Sequence, residues 1–143
     1  MLVGLRLENI GLTDHLDLSF QNGFTVLTGE TGAGKSLLLD ALDALFAGNQ
    51  SIPANRLLRS GSKNGYIEAS FIGNSATCSW LKAEGFEEEE ELVISREWRY
   101  KEERFINRCR LNGIVINRHQ VADLRPLLID LTAQGQTHQL NSG

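Results

Sequence analysis

Residues 24–36 read FTVLTGETGAGKS, and this stretch decides the fold. Its first five residues form a dense β-rich run, and 29–36 fit the pattern G-x-x-x-x-G-K-[ST] at every position. Residues 36–47 then place apolar side chains at helical spacing, namely Leu38, Leu39, Leu42, Leu45 and Phe46. The sequence therefore predicts a buried strand, a glycine-rich phosphate-binding loop and an amphipathic helix, in that order.

The residue types in this loop suit a nucleoside triphosphate bound with Mg²⁺. Its glycines let successive backbone N–H groups point inward as an anion nest, and the helix start adds its unpaired N–H groups and positive dipole end. Lys35 can reach the β and γ phosphates, and the Ser36 hydroxyl is a natural ligand of Mg²⁺. The predicted nucleotide-binding residues are Gly29, Glu30, Thr31, Gly32, Ala33, Gly34, Lys35 and Ser36. A dinucleotide site is disfavoured, because G-x-G-x-x-G lacks the Lys-Ser pair.

The rest of the chain is typical of a mixed sheet with few helices. A loop is predicted over 49–65, and Pro126 is expected to end or kink the last helix. Asn112-Gly113 is a strong signal for a two-residue hairpin turn. Helices are predicted at 76–84 and 118–125, and strands at 2–8, 16–20, 24–28, 66–72, 92–98, 104–111, 114–116 and 127–131.

Composition is that of one ordinary globular domain: 143 residues, 41% hydrophobic and 22% charged. No apolar run approaches the roughly 20 residues that span a bilayer, and no secretion signal is recognisable, so a cytoplasmic location without membrane contact is expected. Cys78 and Cys109 lack a C-x-x-C spacing, which indicates neither a disulfide framework nor a zinc site.

Charge is segregated along the chain, although the net charge is only -4. Residues 84–91 contain six acids and no base, whereas 96–125 contain eight Lys and Arg against four acids. Arg104, Arg108 and Arg110 would share one face of a strand. That face could contact DNA phosphates without reading bases, or it could be the solvated side of a hairpin.

One expected part of a hydrolytic site has no clear place in the sequence. A hydrolase with this loop needs a second acid, at the end of another buried strand, to hold the metal and polarise water. Asp130 is the best local candidate. We favour the alternative that the acid lies outside this chain.

Several segments together resemble the N-terminal part of the RecN family, bacterial DNA-repair ATPases related to SMC proteins. They are MLVGLRLENIGL, TGETGAGKS, LLRSGSKNGYIEASF, ISREWR, INRCRLNG and LLIDLTAQGQTHQL. The resemblance implies an α/β fold with α+β character: a P-loop NTPase of the ABC/SMC head type. Residues 1–143 would form its N-terminal lobe, with mixed and antiparallel sheet in 1–28 and 66–116. A coiled coil and a C-terminal lobe would be supplied elsewhere.

The resemblance also implies roles outside the phosphate loop. In a glutamine-containing loop at 134–139, Gln136 would contact Mg²⁺ and the attacking water. Gln134 stands where the family usually has His and Thr137 where a second His is common, so Gln134 is the alternative. Arg59 in LLRSG would lie near the phosphates, its alternative being an exposed loop arginine.

The implied function is ATP binding and, in a longer protein, ATP hydrolysis that drives double-strand-break repair and recombination at the bacterial nucleoid. The implied partners are ATP, the C-terminal lobe, a second head in a homodimer, and DNA. The 143-residue chain alone is expected to show little or no hydrolysis. Two alternatives are a nucleotide-gated assembly module without catalysis, and a transporter ATPase or small-molecule kinase with the same loop.

Overall fold

The computed structural model describes residues 2–11, 13–19, 40–46, 58–59 and 61–128. The predicted strand 24–28, the phosphate loop 29–36, Asp130 and the glutamine loop 134–139 lie outside these residues. Helical segments are α1 (40–46), α2 (Ser75–Ala83) and α3 (118–128). The strands are β1 (Leu2–Ile10), β2 (Thr13–Ser19), β3 (Asn64–Ile72), β4 (Glu91–Lys101), β5 (Arg104–Leu111) and β6 (Ile114–Ile116).

The six strands form one sheet in the order β2-β1-β3-β4-β5-β6, and every pairing is antiparallel. Asn112 and Gly113 make the β5–β6 turn with φ of 50° and 85°, which confirms the predicted hairpin. Glu102 and Glu103, also at positive φ, make the β4–β5 turn. Parallel pairing, expected in a mixed sheet, does not occur among the described strands.

The sheet has one buried face and one polar face, because side chains alternate along a strand and residues paired in register point the same way. We call the buried side the inner face and the opposite side the outer face. All three helical segments contribute to the core on the inner face. Its strand residues include Leu5, Leu7, Ile67, Ala69, Phe71, Leu92, Ile94, Trp98, Cys109 and Leu111.

The predicted end of the last helix at Pro126 was wrong, and so was the predicted strand at 127 and 128. The helix passes through Pro126 and continues to residue 128, so 127 and 128 are helical rather than part of a strand. Proline removes one backbone donor, the one that would bond to the carbonyl of Ala122. Leu124 and Leu128, one turn apart, are both fully buried in the core. This burial offsets the lost hydrogen bond and keeps the last turn helical.

A capping box defines the start of α2. Asn74 Oδ1 accepts a hydrogen bond from Thr77 N (3.1 Å), and Thr77 Oγ1 accepts one from Asn74 N (2.8 Å). Thr77 is fully buried. The exposed acidic residues 87–91 follow this helix and lead into β4.

Candidate functional site

Helix α1 is the described part of the predicted nucleotide-binding element. The helical spacing in 36–47 is confirmed over 40–46. Five of these seven residues are buried in the core, and the Phe46 ring lies 6.5 Å from that of Phe71 on β3. The helix that follows the phosphate-loop motif is therefore packed firmly on the inner face of the sheet. The roles of Lys35 and Ser36 stay predictions.

Arg96, on the inner face of β4, contacts helix α1. Its Nε donates a hydrogen bond to the Leu45 carbonyl oxygen (2.8 Å), and its Nη1 donates one to Asn107 Oδ1 on β5 (2.5 Å). The residue is only 8% exposed, and burial lowers the pKa of the guanidinium from its ordinary value. Sequence reasoning placed Arg96 in a basic surface segment. Its position between the inner-face residues Ile94 and Trp98 was the signal that could have found it.

A second arginine reaches the same helix from α3. Arg125 Nη2 lies 2.9 Å from the Asp43 carboxylate, and both side chains are about half exposed. A pair this exposed contributes roughly 0–1 kcal/mol. Helix α1 therefore has one buried and one exposed arginine contact, each from a different element.

Arg59 lies beside the β1–β2 turn. Leu58 forms a bridge with Ile10, and Arg59 N donates to the Asn9 carbonyl oxygen (2.7 Å), so its backbone is fixed at the end of β1. Its half-exposed guanidinium is 3.4 Å from the Asp14 carboxylate on β2. This is the contact that the described residues give Arg59, and its role toward phosphates stays a prediction.

The outer face of the β4–β5 hairpin is basic. Arg104, Arg108 and Arg110 share this face, as the alternation predicted, with Ile106 between them and with Arg99 and Lys101 on β4. We call these five cations the hairpin surface. Lys101, Arg104 and Arg108 have no ion pair with any other residue that the structure describes.

Glu97 of β4 lies among the cations of the hairpin surface and partly neutralises them. Arg110 Nη1 donates to its carboxylate at 2.9 Å, and Arg99 Nη2 lies at 3.6 Å. The hydrogen bond from Arg110 lowers the pKa of Glu97. Glu97 also borders a groove of about 300 Å³ that Glu8 and Tyr66 help to line. On the side facing β1, the hairpin surface is therefore bordered by the carboxylates of Glu97 and Glu8.

The eight basic residues of 96–125 do not form one patch, which corrects the simplest interpretation of the charge count. Arg96 points into the core, and Arg118 and Arg125 lie on α3 in the helical layer. The acidic residues 87–91 end at Glu91, the first residue of β4, whereas Lys101 is its last. At ~3.3 Å per residue these ends are roughly 33 Å apart.

Two features are absent from the described ranges. No group of three or more His, Cys, Asp or Glu side chains there could hold a metal ion. None of the helical segments that the structure describes is long and apolar enough to cross a membrane.

Solved structures share this architecture. A chain from a study of the ATP-driven dimerization and DNA-stimulated activation of SMC ATPases matches with a TM-score of 0.65 at 20% identity, over 90% of this chain and 79% of that chain. The recombination mediator protein RecF, solved as RecF-ATPrS, matches with a TM-score of 0.50 at 17% identity, over 85% of this chain and 29% of that chain. The fold is that of an SMC-type ATPase head.

Sequence comparisons agree with the fold. Residues 4–123 match a family model described as AAA domain. The DNA repair protein RecN of Synechocystis is 44% identical over 98% of this chain and 24% of its own length. RecN of Halalkalibacterium halodurans is 33% identical over 97% of this chain and 24% of its own length. RecN of Bacillus subtilis is 30% identical over 94% of this chain and 23% of its own length. The chain belongs to the AAA domain family and is RecN-like along nearly all of its length. It spans about a quarter of these relatives.

Proposed function

We propose that this chain binds ATP with Mg²⁺ through residues 29–36, as the N-terminal lobe of the ATPase head of a RecN-like DNA repair protein. The observation that carries the proposal is helix α1. The phosphate-loop motif requires a helix directly after it, and the helix that the structure describes at 40–46, four residues beyond Ser36, is buried on the inner face of the sheet. The SMC-type fold and the RecN relatives support the same assignment.

In this proposal each loop residue has a distinct task. Backbone N–H groups of 29–36 bind the phosphates, and the Lys35 ammonium neutralises charge on the β and γ phosphates. The Ser36 hydroxyl and Gln136, or Gln134 in its place, would hold Mg²⁺. Bound Mg²⁺ supplies charge neutralisation on the phosphate oxygens. Arg59 would add a further cation.

Hydrolysis is proposed only for a longer protein. A second acid and the motif contributed across a head–head interface would come from a C-terminal lobe and from a partner head. By itself the chain would act as a nucleotide-binding module. Its activity would lie in the bacterial cytoplasm at the nucleoid, because the relatives are DNA repair proteins of bacteria.

A titration with a fluorescent ATP analogue in excess Mg²⁺ tests the proposal. Lys35→Ala should weaken binding at least about tenfold, since a hydrogen bond to a charged group is worth ~1.5–3 kcal/mol and each ~1.4 kcal/mol is tenfold. Lys101→Ala, the same change on an exposed hairpin residue, should leave the affinity unaltered. Equal binding by Lys35→Ala and the unmodified chain would overturn the proposal.

We also propose that the hairpin surface contacts DNA phosphates. Three cations on one face of this hairpin, Lys101, Arg104 and Arg108, have no ion pair among the described residues, which favours sequence-independent, salt-dependent binding. Arg104→Gln/Arg108→Gln should reduce the slope of log affinity against log salt by ~1.8, at ~0.9 per phosphate contact. Lys82→Gln/Arg118→Gln, which removes two exposed charges from the helices, is the matched control. Equal effects of the two double variants would exclude this surface.

A further inference from the structure

Arg96 occupies a position where the fold favours an apolar side chain. It lies on the inner face of β4, between Ile94 and Trp98, both fully buried, and opposite the buried Cys109 of β5. Moving a charged group into such surroundings costs several kcal/mol unless hydrogen bonds compensate. Core packing alone therefore does not account for an arginine at this position.

The partners of Arg96 are neutral oxygen atoms. Its Nε donates to the Leu45 carbonyl of α1, and its Nη1 donates to the Asn107 side chain of β5. No carboxylate among the described residues lies within salt-bridge distance of it. The guanidinium thus connects the helix behind the phosphate loop to both strands of the basic hairpin, and its charge complements the partial negative charge of helix carbonyls.

We infer that Arg96 is a positioning residue for nucleotide binding: it fixes α1 against the β4–β5 hairpin, and so links the phosphate loop to the hairpin surface. The inference rests on the proposed ATP binding at 29–36. The planar guanidinium donates in two directions at once, which a methionine of similar length cannot do. A shift of α1 on ATP binding would move the Leu45 carbonyl, and Arg96 would transmit that movement to Asn107.

The first experiment uses the unmodified, ¹⁵N-labelled chain. The Arg96 Nε–H resonance, assigned by its disappearance in Arg96→Lys, should shift during a titration with Mg-ATP. The shift should follow the same apparent Kd as the fluorescence titration. The Nε resonance of Arg118, an exposed arginine on α3, should stay in place. An Arg96 resonance that does not move while ATP binds would overturn the inference.

The second experiment compares affinities. Arg96→Met should weaken Mg-ATP binding about tenfold, because the phosphate loop is then followed by a helix with one fewer anchor. Thr77→Val destabilises the fold at the α2 capping box, away from α1, and should leave ATP affinity unchanged below its unfolding temperature. Unchanged affinity in folded Arg96→Met contradicts a positioning role. The resonance titration covers the case in which Arg96→Met fails to fold.

The two proposals fail in different ways. If the unmodified chain does not bind Mg-ATP, the proposed function is wrong and the role of Arg96 falls with it. If ATP binds and Lys35→Ala abolishes binding, but neither Arg96 readout responds, only the positioning role is wrong.

Discussion

Replacing Glu97 with glutamine should strengthen DNA binding by the hairpin surface. Glu97 accepts a hydrogen bond from Arg110 at 2.9 Å and lies 3.6 Å from Arg99. The substitution removes the negative charge while keeping nearly the same shape. Both arginines then lose their charged partner and become available to DNA phosphates, in addition to the three cations that have no ion pair among the described residues.

The size of the effect follows from counting cations. Three phosphate contacts give a slope of log affinity against log salt of about -2.7, and five give about -4.5, at ~0.9 per contact. Between 50 and 200 mM salt, affinity should therefore fall about 40-fold for the unmodified chain and about 500-fold for Glu97→Gln. Fluorescence anisotropy with a labelled duplex at four or five salt concentrations measures both slopes.

A second charge variant distinguishes the release of Arg99 and Arg110 from a simple change in net charge. Glu103→Gln, in the β4–β5 turn, changes the net charge of the hairpin equally, but Glu103 forms no ion pair with the described arginines. It should raise affinity slightly and leave the slope near that of the unmodified chain. Identical slopes for Glu97→Gln and Glu103→Gln would refute the reasoning that Glu97 withholds two arginines from DNA.

Two predictions concern stability. Gly65→Ala should destabilise the fold by about 1–3 kcal/mol in urea unfolding, because the added Cβ would lie 2.1 Å from Leu58 Cδ2. Gly4→Ala is the control and should be tolerated, because its Cβ would meet no atom closer than 3.6 Å. The depressed pKa of Glu97 means that its ion pairs stabilise the fold above the ordinary pKa of about 4.5. At pH 7 the unmodified chain should have a larger free energy of unfolding than Glu97→Gln, and this difference should disappear as the pH falls through the lowered folded-state pKa of Glu97. A difference in unfolding free energy that does not change with pH would contradict this.

The alternation of side chains made much of this fold predictable. It placed Arg104, Arg108 and Arg110 on one outer face, and the Asn112-Gly113 pair located a turn, since both signals depend only on neighbours in sequence. The burial of Arg96 was not predicted, because a count of charges along the chain ignores which face of the strand each residue occupies. The same alternation, applied one strand earlier, would have identified it.

Other features depend on contacts between distant segments. The Arg59–Asp14 pair requires the bridge between Leu58 and Ile10, which local patterns do not reveal. The helix through Pro126 likewise depends on the burial of Leu128 against the sheet, which outweighs the local preference of proline to end a helix. In the candidate site, the phosphate loop at 29–36 stays a prediction from its motif, whereas the contact of Arg96 with the Leu45 carbonyl of α1 joins distant segments and required tertiary structure.

The placement of opposite charges at the two ends of β4 gives the described sheet a permanent dipole moment along that strand. In the field of a polyanion such a molecule turns its positive end forward before contact, which raises the rate of productive encounters. The two ends are roughly 33 Å apart, whereas the Debye length is about 8 Å at physiological ionic strength and about 30 Å at 0.01 M. At physiological salt the acidic residues 87–91 therefore exert little repulsion on DNA held at the Lys101–Arg104 end of the hairpin, and at 0.01 M salt their repulsion extends to that end.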